Sequence, residues 1–74
     1  MPPRVPYTRQ IIADITAKID SGEWPPGYRL PSIPELAAAY GCSAAPVRVA
    51  LTQLQGAGLI QGHQGVGNFV AGGR

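Results

Sequence analysis

Arg48 is the side chain of this sequence best equipped to grip another molecule. Its planar guanidinium can donate paired hydrogen bonds to a guanine edge, or it can hold a phosphate. A structural role, such as pairing with Glu35, is the alternative use of the same charge. Around it lie Ala44, Ala45 and Val49, which can donate no side-chain hydrogen bond, and Thr52. The apolar side chains can pack on a thymine methyl, which favours A·T-containing sites, or equally form a small contact for a protein partner. The hydroxyls of Ser32 and Ser43 stand where helices start, positions that suit a phosphate. Gly65 and Gly67 lack a Cβ, so their N–H groups can approach a phosphate, although a tight hairpin explains them too.

Other chemistries are poorly provided for. One histidine and one cysteine, without paired carboxylates, make no metal site, and no cofactor is expected. Cys42 reads as a small half-buried side chain before a helix, and it forms no nucleophile–base set with His63. Gly65-Val66-Gly67 lacks the strand–loop–helix frame of a nucleotide loop, so no enzyme is expected. Six Lys/Arg against four Asp/Glu give a net charge of +2, compatible with nucleic acid but not a strongly basic surface. No apolar run reaches the roughly 18 residues of a membrane span, and the start reads as no signal peptide. The cytoplasm is the expected compartment.

The elements that must position these residues follow from periodicity. Seventy-four residues make one small domain. Residues 1–6, with three prolines, read as a flexible arm whose Arg4 is a solvated charge or reaches DNA. From Tyr7 a helical period sets Tyr7, Ile11, Ile12, Ile15 and Ile19 on one arc, ended by Ser21-Gly22. Glu23 to Gly27 is a rigid turn, with Trp24 as a lid over the helix junction, and Tyr28-Arg29-Leu30 makes a strand stub. Ser32 and Glu35 have the spacing of a capping box at the start of a second helix, which Gly41 closes. Ser43 is the expected N-cap of the third helix, its hydroxyl accepting a first-turn N–H. That helix, spanning 43–57, sets Val47, Ala50, Leu51 and Leu54 on a stripe opposite Ala45, Arg48, Val49 and Thr52. Strands Leu59-Ile60-Gln61 and Asn68-Phe69-Val70-Ala71 flank a glycine-rich tip, Gly62 to Gly67, and residues 72–74 form a tail. The predicted fold is α+β and mostly α: a winged helix-turn-helix of three helices and a two- to three-stranded β-wing over residues 7–71.

With these elements in place, the sequence resembles the DNA-binding domain of the GntR family of bacterial transcriptional regulators. The matching residues are Ile19 to Ser32, Glu35-Leu36-Ala37, Gly41-Cys42-Ser43, Val47-Arg48, Ala50-Leu51, Leu54, Gly58-Leu59 and Gly65 to Val70. The resemblance implies sequence-specific binding of double-stranded DNA as a repressor. It places helix 43–57 in the major groove and wing 61–68 at the minor groove or backbone, with His63 and Gln64 at its tip. It also implies a homodimer on a palindromic operator, and an effector-binding domain outside these residues. Where the family usually carries arginines this chain has Pro34 and Ala44, and its wing base is Gly62-His63-Gln64. A winged-helix module for protein–protein contact is the alternative reading.

Overall fold

The structure, a computed structural model, describes residues 7–72. The expected arm 1–6 with Arg4, and Gly73-Arg74 of the expected tail, lie outside the described residues. Three helices, α1 (Tyr7–Ser21), α2 (Ile33–Tyr40) and α3 (Ala44–Gly56), precede two antiparallel strands, β1 (Ile60–His63) and β2 (Gly67–Val70).

Each helix is where local physics puts it. α1 buries Ile11 and Ile15 against α3 and half-buries Ile12 and Ile19. Tyr7, expected on the same apolar arc, is exposed, because it opens the helix a full turn before the packed region. Gly22 ends α1 at a φ of 86°, a left-handed conformation that glycine adopts without a Cβ clash. Trp24 is buried in the core, as expected, and stacks on Tyr28 with ring centroids 5.0 Å apart.

The α2 capping box forms in full. Glu35 N–H donates to Ser32 Oγ at 3.2 Å, and Ser32 N–H donates to Glu35 Oε1 at 2.8 Å. The backbone N–H of Ser32 stabilises the ionised carboxylate, and with the Ser32 hydroxyl it holds Glu35 below the usual carboxylate range. Gly41, at a φ of 69°, then lets Cys42 N–H turn back onto Ala37 O at 3.0 Å. Tyr40 Oη donates to Asp14 Oδ2 at 2.7 Å and ties α2 to α1; burial, with this bond, pushes its hydroxyl up to about 12.

α3 is the axle of the domain. Val47, Ala50, Leu51 and Leu54 are all buried, in the order the periodicity predicts. Its start corrects one expectation: Ser43 is the N-cap residue with extended backbone, but its hydroxyl makes no capping bond. Extended backbone at the cap does not by itself aim the hydroxyl at the N–H groups of the first turn.

The strands are shifted by a residue or more from the expected boundaries. Leu59 precedes β1 and Ala71 follows β2, while His63 and Gly67 pair across the ladder. The tip therefore shortens to Gln64-Gly65-Val66, closed by Val66 N–H donating to His63 O at 2.9 Å. The Tyr28–Leu30 stub adds a bridge between Arg29 and Phe69, so the sheet has two strands and one extra rung. Ile60 and Val70 seal the core from the sheet side.

Candidate nucleic-acid interface

Burying one stripe of α3 fixes what the other side presents. At 100° per residue, Arg48, Thr52, Ala45 and Val49 fall within an arc of about 100°, opposite the buried stripe. All four are exposed, and Ala44 at the edge of that arc is half-buried. Among the described residues the ion pair formed is Lys18–Glu23, at 3.1 Å. Glu35 is spent on its capping box, so the alternative Arg48–Glu35 pairing does not occur. The Arg48 guanidinium thus faces solvent with its hydrogen-bonding capacity unspent on carboxylates.

The two serines differ. Ser32 Oγ accepts a backbone N–H and its hydroxyl helps stabilise the Glu35 carboxylate, whereas Ser43 Oγ is engaged by neither cap N–H nor side chain. Both are exposed at helix starts, where aligned peptide dipoles favour an anion.

On the wing, His63, Gln64 and Gly65 are exposed, and His63 meets Phe69 edge-on with centroids 5.2 Å apart. That contact gives the imidazole a defined direction at the hairpin. Gly65 has a φ of 80° and open space around it. Gly67 is half-buried, because the Arg29 guanidinium lies across it.

Arg29 is the functional feature that sequence reasoning missed. Its Nη2 donates to Val66 O at 2.8 Å, pinning the hairpin turn to the stub 37 residues earlier. A second tie holds the wing to α3: Gln55 Nε2 donates to Asn68 Oδ1 at 2.8 Å. Gly62 lies beneath that tie, since a Cβ there would come within 2.6 Å of Gln55 Nε2. The only sequence signal for these ties is polar residues in strand-like segments; the pairings need three-dimensional adjacency. Two side-chain ties therefore add to the backbone bonds that hold the wing to the stub, and no hydrogen bond links Arg48 or Thr52 to His63 or Gln64 among the described residues.

The bracing makes Gly67 a sensitive position. An alanine there is strained at a φ of 139° and sets its Cβ 3.3 Å from Arg29 Nε. Gly67→Ala is expected to cost about 1–3 kcal/mol and to loosen the turn. Gly65→Ala, with the same backbone restriction but open space, is expected to leave the Arg29–Val66 bond in place. Thermal unfolding and amide exchange at Val66 and Gly67 distinguish the two; equal protection in both variants would discount the latch.

No described helix is long and apolar enough to cross a membrane, and no cluster of potential metal ligands occurs among the described residues.

Comparison with known proteins adds to this geometry. The chain is 42% identical over 66 residues to a histidine utilization repressor of Klebsiella aerogenes, covering 89% of the chain and 27% of that protein. It is 46% identical over 57 residues to a histidine utilization repressor of Pseudomonas aeruginosa, covering 77% of the chain and 23% of the relative. The chain thus spans about a quarter of the length of these relatives. Its fold superposes with a TM-score of 0.87 on the AraR DNA-binding domain in complex with operator ORX1, at 32% identity, covering 92% of this chain and 82% of that one. Residues 7–70 match the family described as bacterial regulatory proteins, gntR family, and the chain belongs to that family.

Proposed function

We propose that this domain binds double-stranded DNA sequence-specifically and acts as a transcriptional repressor, with helix 43–57 in the major groove and wing 61–68 against the minor groove or backbone. The observation that carries the reading is the outward face of α3. Arg48, Thr52, Ala45 and Val49 are free on one side of a helix whose other side is wholly committed to the core. A helix held in this way enters a major groove with its N-terminal half leading. Arg48 donates to a guanine or a phosphate, the Ser32 and Ser43 hydroxyls donate to phosphates, and the wing steadies the backbone through Gly65 and Gly67 with His63 and Gln64 at the groove. The kinship with repressors, and with a domain crystallised on its operator, supports the same reading. Two copies on a palindrome, half-sites one helical turn apart, supply the specificity that one small domain lacks.

The test is selection of bound duplexes from a random pool, followed by a salt titration of the winner. With a net charge of +2, two to four phosphate contacts per subunit are expected. That gives a slope of about −2 to −4 in log K against log salt per subunit, and sedimentation at saturation shows two chains per duplex. The exposed apolar side chains Val49 and Val66 favour a second reading, docking of a protein partner. Absence of any enriched duplex, with salt-insensitive association to a protein, is the outcome that reading requires.

A further inference from the structure

We infer that Val49 is a specificity-determining residue that reads the 5-methyl group of a pyrimidine in the major groove; this rests on the DNA-binding reading above. Val49 is 47% exposed in the middle of α3, on the arc it shares with Arg48, Thr52 and Ala45. The core does not use it, since the buried stripe is Val47, Ala50, Leu51 and Leu54. Nor does helix formation favour it: a β-branched side chain loses rotamer freedom in a helix, and a surface position is better filled by alanine or a straight-chain residue. An isopropyl group held in water at the edge of this face, about 100° around the helix from Arg48, gains free energy only by being covered.

The surrounding chemistry says what covers it. Arg48 is the single formally charged residue between Glu35 and Arg74, so α3 brings one fork of donors to a groove and otherwise small or apolar groups. Val49 can neither donate to nor accept from a base edge. In the major groove the apolar feature that differs between base pairs is the C5-methyl group, which thymine carries and cytosine lacks. Ala45, one turn earlier on the same ridge, is small and exposed, so it leaves room for that methyl to approach. Thymine and 5-methylcytosine both present this group, and the same pocket accepts either.

The experiment uses the duplex enriched from a random pool and replaces each thymine in turn by deoxyuridine, which removes the methyl alone. For the native chain, one or two positions per half-site are expected to lose affinity about three- to fivefold. For Val49→Ala, a change that favours the helix, the native affinity falls by a similar factor and the same deoxyuridine substitutions have no further effect. The salt slope stays unchanged between the two proteins, because no phosphate contact is removed. At the sensitive position, C·G and 5-methyl-C·G pairs separate the two sources. Recovery with the methylated base shows that the methyl is read in either pair; recovery only with thymine confines it to the A·T pair. Tolerance of deoxyuridine everywhere, or equal losses in Val49→Ala, overturns the inference while leaving DNA binding intact. A pool with no enriched duplex overturns the DNA-binding reading and this inference with it.

Discussion

Arg48→Ala is expected to abolish discrimination for the selected duplex while leaving the domain folded. A well-placed guanidinium on a guanine edge contributes about 1–3 kcal/mol of base discrimination, so each half-site loses roughly 5- to 150-fold. In a two-chain complex both half-sites carry the loss. Two features make the effect large here. Arg48 is the only formal charge on α3, and Pro34 and Ala44, in the first turns of α2 and α3, carry none. No other cation on α3 can take over the contact. The fold, by contrast, does not lean on Arg48: the side chain is exposed and forms no ion pair. Its melting temperature should move little, because surface substitutions of this kind usually change stability by about 0.5 kcal/mol or less. The salt slope then assigns the atom that Arg48 touches. An unchanged slope places the guanidinium on a base, whereas a slope shallower by about 0.9 places it on a phosphate. Native affinity and native sequence preference in the variant would remove α3 from the interface.

The second large effect is on stability. Ile15→Ala is expected to remove a large share of the domain's folding stability. Ile15 is 1% exposed at the α1–α3 junction, among the largest fully buried side chains. Truncating such a residue costs about 2–5 kcal/mol, the lost transfer free energy plus the cavity left behind. Seventy-four residues carry roughly 4–11 kcal/mol of total stability at the usual value per residue, so the loss takes a large share of it. Ile12→Ala, three residues earlier on the same helix but half-buried, is the control and should cost distinctly less. Urea denaturation gives the comparison directly through the midpoint at constant slope. DNA added in excess of its dissociation constant should recover part of the loss in Ile15→Ala, because ligand binds the folded state. Equal midpoints for the two variants would mean that α1 is not the wall of the core that its burial indicates.

These two residues also mark where sequence reading succeeds. Ile15 and Arg48 were both assignable from position along a helix, since a 3.6-residue period decides facing within one element. The same holds for the α3 stripe, for the Ser32–Glu35 box and for the glycine ends of α1 and α2: each involves residues at most about four apart. The Ser43 hydroxyl shows the limit even locally. Residue type and position named the cap correctly, but whether its side chain turns onto the helix is a torsional choice that spacing does not encode.

The wing shows the limit at longer range. The glycines announced a hairpin, yet strand ends and tip length depended on which residues pair, and the pairing His63–Gly67 extends the ladder past the predicted boundary. Arg29 was one cation among six until the fold brought it across Gly67 to the carbonyl of Val66. Gln55 and Asn68 likewise became a tie only when α3 ended beside β2.

The chain by itself determined three helices, a glycine-tipped hairpin and an α3 with one face for the core and one left over, because those properties arise from periodicity and caps within single elements. Tertiary structure decided how the wing is braced and that Arg48 stays clear of Glu35. Those outcomes depend on groups remote in the chain competing for the same partner, and the competition is settled only when packing has set their distances.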